Sequence, residues 1–190
     1  MPRHKTVSDD DVLAAALGVM ADSGMGFTLT ELAVRVGLSR ATLIQRFGDR
    51  DAILRRIAEH EVAATRAWLD GLPVERGADG LRRFLETIVS SMGSGDGFSA
   101  RVQIAALEAR DPALRALADA RYALVQDAIA LRLPDGPDRG ETARHLHAVV
   151  AGATMQWVAS DGSVGLSDFV LDRVRWCLNT LPSGLIRIAP

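Results

Sequence analysis

A short segment near the N-terminus combines the side chains that proteins use to recognise the edges of DNA bases. Arg40, Thr42, Gln45 and Arg46 lie within eight residues, and Arg50 follows shortly after them. Arginine can form two hydrogen bonds with guanine, glutamine can do the same with adenine, and threonine can reach a phosphate or a thymine methyl. These residue types favour a surface that enters the major groove of duplex DNA.

Two short helices joined by a tight turn would position this segment. Thr28 and Glu31 have the spacing of a capping box, which predicts a helix start at Thr28. Gly37 ends that helix, and Ser39 is the predicted N-cap of a second helix over Arg40–Phe47. Two helices that cross at a short turn containing glycine form a helix-turn-helix.

The apolar residues of these two helices should pack into the core. The residues on the opposite side of each helix should then be exposed. The residues predicted to be buried are Leu32, Val36, Leu38, Leu43 and Phe47. The residues predicted to meet DNA bases or phosphates are therefore Thr28, Thr30, Arg40, Thr42, Gln45, Arg46 and Arg50. From residue 35 to residue 50 there are four arginines and one acid, which predicts a local basic patch in a chain of net charge −2.

The stretch Val12–Leu54 closely resembles the DNA-binding domain of the TetR (tetracycline repressor-like) family. The resemblance runs through Phe27–Ala33, Val36–Leu43 and Asp49–Leu54, and it covers about a quarter of the chain. It implies a bacterial, ligand-responsive transcriptional regulator, commonly a repressor, that binds a palindromic operator in double-stranded DNA as a homodimer. Ile44 departs from the family, since it stands where a tyrosine usually contacts a phosphate.

The rest of the chain predicts helices and no strands, giving an all-α protein of about nine helices. We expect a helix-turn-helix DNA-binding domain over residues 1–50, a connecting helix over 51–73 and a helical ligand-binding and dimerisation domain over 74–190. The first helix should start at Ser8. The later helices are predicted over Arg50–Leu69, Gly77–Ser91, Ser99–Ala109, Pro112–Leu133, Arg139–Ala159 and Ser167–Leu181.

The C-terminal domain offers candidates for an effector pocket and for a dimer interface. A pocket for an apolar small molecule could be lined by Phe84, Ile88, Met92, Phe98, Val102, Leu124 and Trp157. The alternative is that these residues belong only to the hydrophobic core. The last two long helices are the predicted homodimer interface. Their candidate residues are His147, Ala148, Ala151, Gly152 and Met155 on one helix, and Phe169, Val170, Val174, Cys177 and Leu178 on the other, with intrachain core again the alternative.

Composition excludes several other classes of protein. The chain is 48% hydrophobic, enough for a folded core, yet it has no apolar run of the length that spans a membrane. Cys177 is the only cysteine, so no intrachain disulfide can form and a cytoplasmic location fits. We find no catalytic motif, and His145 and His147 are spaced to point to different faces of a helix. We therefore expect neither an enzyme nor a metal or cofactor site.

Two other functions remain open at this stage. The chain could be a helical small-molecule-binding module that has lost operator binding, an alternative supported by Ile44 and by the net negative charge. It could also be a purely structural interaction protein, which predicts neither DNA affinity nor a pocket. DNA titrations at several salt concentrations would separate these alternatives from a regulator.

Overall fold

The computed structural model describes residues 7–23, 26–92, 104–160 and 162–180. All regular secondary structure in these ranges is helical, as the sequence predicts. The helices are α1 (Asp9–Ser23), α2 (Leu29–Val36), α3 (Arg40–Phe47), α4 (Arg50–Asp70), α5 (Ala78–Ser91), α6 (Pro112–Ala130), α7 (Arg139–Val158) and α8 (Leu166–Thr180), with a further helical stretch at 104–108. None of the described helices combines the length and the apolar character that a membrane-spanning segment requires.

The chain divides into two units. The first contains the described residues up to 63 and those from 104 to 118, and the second contains those from 64 to 92 and from 119 onward. Helices α4 and α6 each contribute residues to both units. The division predicted from the sequence, with boundaries after residues 50 and 73, remains a prediction.

The first unit is built around apolar side chains from four helices and one loop. Helix α1 begins with a reciprocal cap, because the backbone N–H of Asp11 donates to Ser8 Oγ at 3.1 Å and the N–H of Ser8 donates to Asp11 Oδ2 at 3.0 Å. The fully or almost fully buried residues of this core include Val12, Ala16, Met20, Phe27, Leu32, Leu43, Phe47, Ile53 and Ile57. Burial of these apolar surfaces fixes α1, α2 and α3 against α4.

The turn between α2 and α3 has the left-handed glycine that its sequence predicts. Gly37 adopts a left-handed conformation with φ of 70°, which glycine reaches without steric cost. Its position after the last helical residue lets the Leu38 N–H donate to the Ala33 carbonyl at 3.0 Å. The chain therefore turns within three residues, and α3 begins directly after this turn.

The core of the second unit is formed by α5, α7, α8 and the C-terminal part of α6. Val170, Val174 and Cys177 of α8 face this core and are 0%, 2% and 8% exposed. The prediction that they form a strip at the dimer interface is therefore wrong. Their helical spacing directs them toward α5 and α7, so the alternative of intrachain core is the correct one.

The buried Arg132 forms a hydrogen bond with the segment between α4 and α5. Arg132, which is 2% exposed, donates hydrogen bonds to the carbonyls of Ala128 and Pro73 at 2.7 and 2.5 Å. Its guanidinium carbon lies 3.6 Å from the centroid of the Phe84 ring, a cation–π geometry. The Arg132 carbonyl also accepts from the N–H of Gly77 at 3.1 Å. These contacts hold the entry to α5 against the end of α6.

Candidate nucleic-acid interface

Helix α3 presents one continuous exposed face. Leu43 and Phe47 are 0% and 5% exposed and anchor the opposite side in the core. The exposed residues of α3 are Arg40, Ala41, Ile44 and Gln45. Residues four apart on a helix are neighbours, so these four side chains form a single stripe, which we call the α3 stripe. Two of its members, Arg40 and Gln45, are the polar residues that the sequence placed there.

Thr42 lies on a half-buried flank of α3 and takes part in its N-terminal cap. The backbone N–H of Thr42 donates to Ser39 Oγ at 3.0 Å, and the two hydroxyl oxygens are 2.8 Å apart. Ser39 is thus the N-cap that the sequence predicts. The Thr42 hydroxyl is a partner of this cap and is not a member of the α3 stripe.

Arg46 differs most from its predicted placement. Its Nε donates to Asp9 Oδ1 at 3.0 Å, its Nη1 donates to the Val7 carbonyl at 3.0 Å, and its Nη2 also pairs with Asp9. Only 26% of the Arg46 side chain is exposed. The prediction that Arg46 projects outward with Arg40 and Gln45 is therefore wrong for the free chain, because Asp9 in the first turn of α1 engages its guanidinium.

Asp9 is the shared partner of two arginines from different helices. Besides Arg46 of α3, Arg56 of α4 donates from Nη1 to Asp9 Oδ2 at 3.2 Å. The hydrogen bond from Arg46 is the main reason that the pKa of Asp9 lies below its ordinary value, and the two positive charges add to the effect. The start of α1 is thereby attached to both α3 and α4.

Thr28 caps α2 through the predicted capping box. Its Oγ1 accepts from the Glu31 N–H at 3.2 Å, and Glu31 Oε2 accepts from the Thr28 N–H at 2.6 Å. The pKa of Glu31 is lowered mainly by the bond from the Thr28 N–H and also by the Thr28 hydroxyl, which donates to Glu31 Oε2 at 2.9 Å. Thr28 and Thr30 are both exposed, so their hydroxyls lie at the surface beside the N-terminus of α2.

Arg50 lies at the N-terminus of α4 and packs on an aromatic ring. Its guanidinium carbon is 5.6 Å from the Phe27 centroid, and its Nε is 3.7 Å from Asp51 Oδ1. About a third of the side chain is exposed, whereas the Nε is buried and has no hydrogen-bond partner among the described residues. Arg50 thus keeps a partly exposed positive charge near the first turn of a helix.

Ion pairs make the predicted basic patch smaller than the sequence suggests. Arg35 pairs with Asp22, Arg46 pairs with Asp9, and Arg50 is near Asp51. Arg40 has no ion pair within the part of the chain that the structure describes. The positive charge available to a ligand at the α3 stripe therefore comes mainly from Arg40.

The predicted effector pocket stays a prediction, because two of its seven residues lie outside the described ranges. Phe84 and Ile88 are core residues, Met92 and Trp157 pack against that core, and Leu124 is half-buried. Phe98 and Val102 lie outside the described residues. A recess of about 180 Å³ shares only Phe84 with the predicted set; it is lined by Leu72, Pro73, Glu75, Gly80, Arg83, Phe84 and Thr87.

No group of three or more potential metal ligands comes together within residues 7–23, 26–92, 104–160 and 162–180. His145 and His147 have separate surroundings. His147 packs edge-on against Tyr122 with ring centroids 5.3 Å apart, and its pKa is lowered mainly by burial. His145 instead lies 3.9 Å from the Cys177 sulfur.

The capped helix pair, its glycine turn and the exposed stripe of α3 define a helix-turn-helix protein. Residues 12–57 match the family described as bacterial regulatory proteins, tetR family. The N-terminal domain of this chain therefore belongs to the tetR family. The family comprises regulatory proteins, in agreement with the prediction that this chain is not an enzyme.

Solved structures extend the likeness beyond the matched residues. A transcriptional regulator from Rhodococcus sp. Rha1 is 20% identical with a TM-score of 0.78, covering 96% of this chain and 100% of its own. A protein described as a TetR-family transcriptional regulator from Rhodococcus sp. is 21% identical with a TM-score of 0.69, covering 91% and 97%. A regulator from Saccharomonospora viridis in complex with choline is 20% identical with a TM-score of 0.71, covering 95% and 98%.

At these identities the likeness establishes the fold, which is that of TetR-family regulators over nearly the whole chain. The search of curated proteins gave no match.

Proposed function

We propose that this chain is a transcriptional regulator that binds a palindromic DNA operator as a homodimer. The observation that carries the proposal is the α3 stripe, an exposed face that follows a capped helix and a glycine turn. An exposed helix of this kind fits the width of the major groove of B-form DNA. The stripe lies within residues 12–57, which match the tetR family, and this supports the same role.

Each predicted site residue has a role in this proposal. Arg40 and Gln45 hydrogen-bond to base edges, because they lie on the exposed face of α3. Thr28, Thr30 and Arg50 contact phosphates at the N-termini of α2 and α4. Thr42 and Arg46 act first by holding α3 in place, through the Ser39 cap and through Asp9.

Dimerisation is proposed through the outer faces of α7 and α8. Of the predicted interface residues of α7, His147 is half-buried and the other four are exposed, which supports an interface on this face: Ala148, Ala151, Gly152 and Met155. Trp176 of α8 is 68% exposed, which leaves a large aromatic surface uncovered in a single chain. Two helices from each of two chains would bury these surfaces in a four-helix arrangement. A dimer can place two α3 helices about 34–36 Å apart, one turn of DNA.

We further propose that an apolar small molecule controls DNA binding and that the usual effect is repression. A regulator with the same fold, from Saccharomonospora viridis, is in complex with choline, which supports control by a small molecule; choline is a cation, so the apolar character of the effector rests on the sequence alone. Helix α4 is continuous from the first unit into the second and so could transmit a change between them. An effector that binds the DNA-free form more tightly would shift the population, with a typical coupling of about 1–3 kcal/mol. Such a regulator would act in the cytoplasm, where bacterial DNA is located.

Selection of DNA duplexes from a random pool with the full chain tests the proposal. We expect a palindromic sequence to be recovered and its affinity, measured by fluorescence anisotropy, to fall steeply with added salt. Arg40→Ala should weaken binding to that sequence by about 10- to 100-fold. Arg66→Ala removes the same charge from an exposed position on α4 and is the matched control.

A folded chain that binds no duplex in this experiment would contradict the proposal. That result would favour the alternative of a helical small-molecule-binding module without an operator. Equal loss of affinity in Arg40→Ala and in the Arg66→Ala control would instead contradict the role of Arg40.

A further inference from the structure

The α3 stripe is half apolar. Between Arg40 and Gln45 it contains Ala41 and Ile44, and Ile44 is 41% exposed. Single exposed apolar residues are common on protein surfaces and need no special explanation. Ile44, however, lies in the middle of the surface that the proposed function brings into the major groove.

Ile44 has no group that can hydrogen-bond. It therefore cannot make the phosphate contact that the family resemblance implies for a tyrosine at this position. The side chains that flank it on the stripe, Arg40 and Gln45, are those that can hydrogen-bond to base edges. The partners of Ile44 in the groove must consequently be apolar.

The major groove offers one apolar group on a base edge, the 5-methyl group of thymine. Contact with it would remove apolar surface of both partners from water, which is favourable and does not require exact alignment. Ala41 is too small to block the approach of this methyl group and adds a second apolar surface one turn before Ile44.

We propose that Ile44, assisted by Ala41, recognises the methyl group of a thymine in each half of the operator. This inference rests on the proposed function and adds a specificity determinant to it. A position that contacts the DNA backbone in the family resemblance becomes a base-reading position in this chain. The operator should consequently contain one symmetric pair of thymines whose methyl groups contribute to affinity.

A methyl scan of the selected operator tests the inference. Each thymine is replaced singly by deoxyuridine, which removes the methyl group and keeps every hydrogen-bonding group of the base. For the unaltered chain we expect affinity to fall about fourfold at one symmetric pair of thymines, the value for one buried methyl-sized group. Ile44→Ala should lose most of this preference for thymine over deoxyuridine, keeping only the small part that Ala41 provides.

Val34→Ala is the matched control, since Val34 is an apolar residue of α2 that is 80% exposed and lies outside the stripe. This variant should retain the full discrimination between thymine and deoxyuridine. Circular dichroism of each variant establishes that the helices are intact.

Two results would overturn the inference. One leaves the proposed function intact, and the other contradicts it as well. If the operator binds tightly but Ile44→Ala leaves the thymine preference unchanged at every position, the inference fails and the proposed function stands. If the chain selects no operator, both fail together.

Discussion

Arg46 shows how a residue of a type suited to DNA contact can be engaged by its own domain in the free chain. Its guanidinium donates to Asp9 and to the Val7 carbonyl, so most of its hydrogen-bonding capacity is used within the first unit. Asp9 also accepts from Arg56, which joins the start of α1 to α3 and α4. The orientation of α3 therefore depends on residues that are far from it in sequence.

This arrangement predicts that Arg46 and Asp9 act on DNA binding as one unit. Arg46→Ala and Asp9→Ala should each weaken operator binding by a similar factor, and the double variant should be little worse than either single variant. The physical reason is that each substitution breaks the same contact, so the two effects are not additive. Fluorescence anisotropy with the selected operator at several salt concentrations measures both quantities.

A direct phosphate contact by Arg46 would give a different pattern. Arg46→Ala would then be more harmful than Asp9→Ala and would reduce the salt dependence by about one counterion, which Asp9→Ala would not do. Arg55→Ala, which removes an exposed arginine from α4, controls for the loss of one positive charge from the same unit.

The difference between the predicted and the observed stripe has a simple cause. Chemical type alone favours Thr42 and Arg46 over Ala41 and Ile44 as residues of α3 that meet DNA. Helical spacing alone places residues 40, 41, 44 and 45 on one face, so this signal was available. The pairing of Arg46 with Asp9 was not available, because the two residues are 37 positions apart and only the tertiary fold brings them together.

At the scale of helices, the capping residues in the sequence predict the helix starts well. The predicted caps at Ser8, Thr28 and Ser39 and the proline start at Pro112 all coincide with helix starts in the structure. Capping depends on residues within one turn, so the sequence contains the necessary information. The end of α6 was less predictable: the helix ends at Ala130, three residues before the predicted Leu133, where Arg132 turns to bind the Pro73 carbonyl.

The Thr28 cap gives a prediction about the stability of α2. Thr28→Ala should lower the free energy of unfolding by about 1 kcal/mol, because the Glu31 N–H loses its acceptor. Thr28→Ser retains the hydroxyl and should stay close to the unaltered chain. Urea denaturation followed by circular dichroism measures both variants. Equal stability of the alanine and serine variants would show that the cap contributes little to folding.

At the scale of the whole molecule, the buried and exposed faces of α8 explain why its role was only partly predictable. An apolar strip on a helix can cover the core of its own chain or that of a partner, and its periodicity is the same in both cases. The sequence could not choose between these for Val170, Val174 and Cys177, which proved to be intrachain core. The exposed aromatic surface of Trp176, not this strip, marks the outer face of the helix.

The proposed dimer predicts that a charge on the outer face of α7 separates the two chains. Ala151→Glu should convert the dimer to a monomer, since burial of an unpaired carboxylate in an apolar interface is costly. Operator affinity should fall strongly, because one chain can contact only half of a palindrome. Sedimentation velocity measures the mass in solution. Ala67→Glu, an equivalent change at an exposed position of α4, should leave the dimer intact.

A monomeric mass for the unaltered chain would contradict the proposed interface directly. A variant that remains dimeric with glutamate at position 151 would indicate that the two chains meet elsewhere. Either result leaves the helix-turn-helix domain and its fold unchanged.

The separation of the two faces of α3 has a consequence for evolution and for engineering. Leu43 and Phe47 hold the helix in the core, whereas Arg40, Ala41, Ile44 and Gln45 lie on its exposed face. Changes at these four positions can redirect the protein to a new DNA sequence while the domain keeps its architecture. A library randomised at only these positions is therefore a compact starting point for regulators with reprogrammed targets.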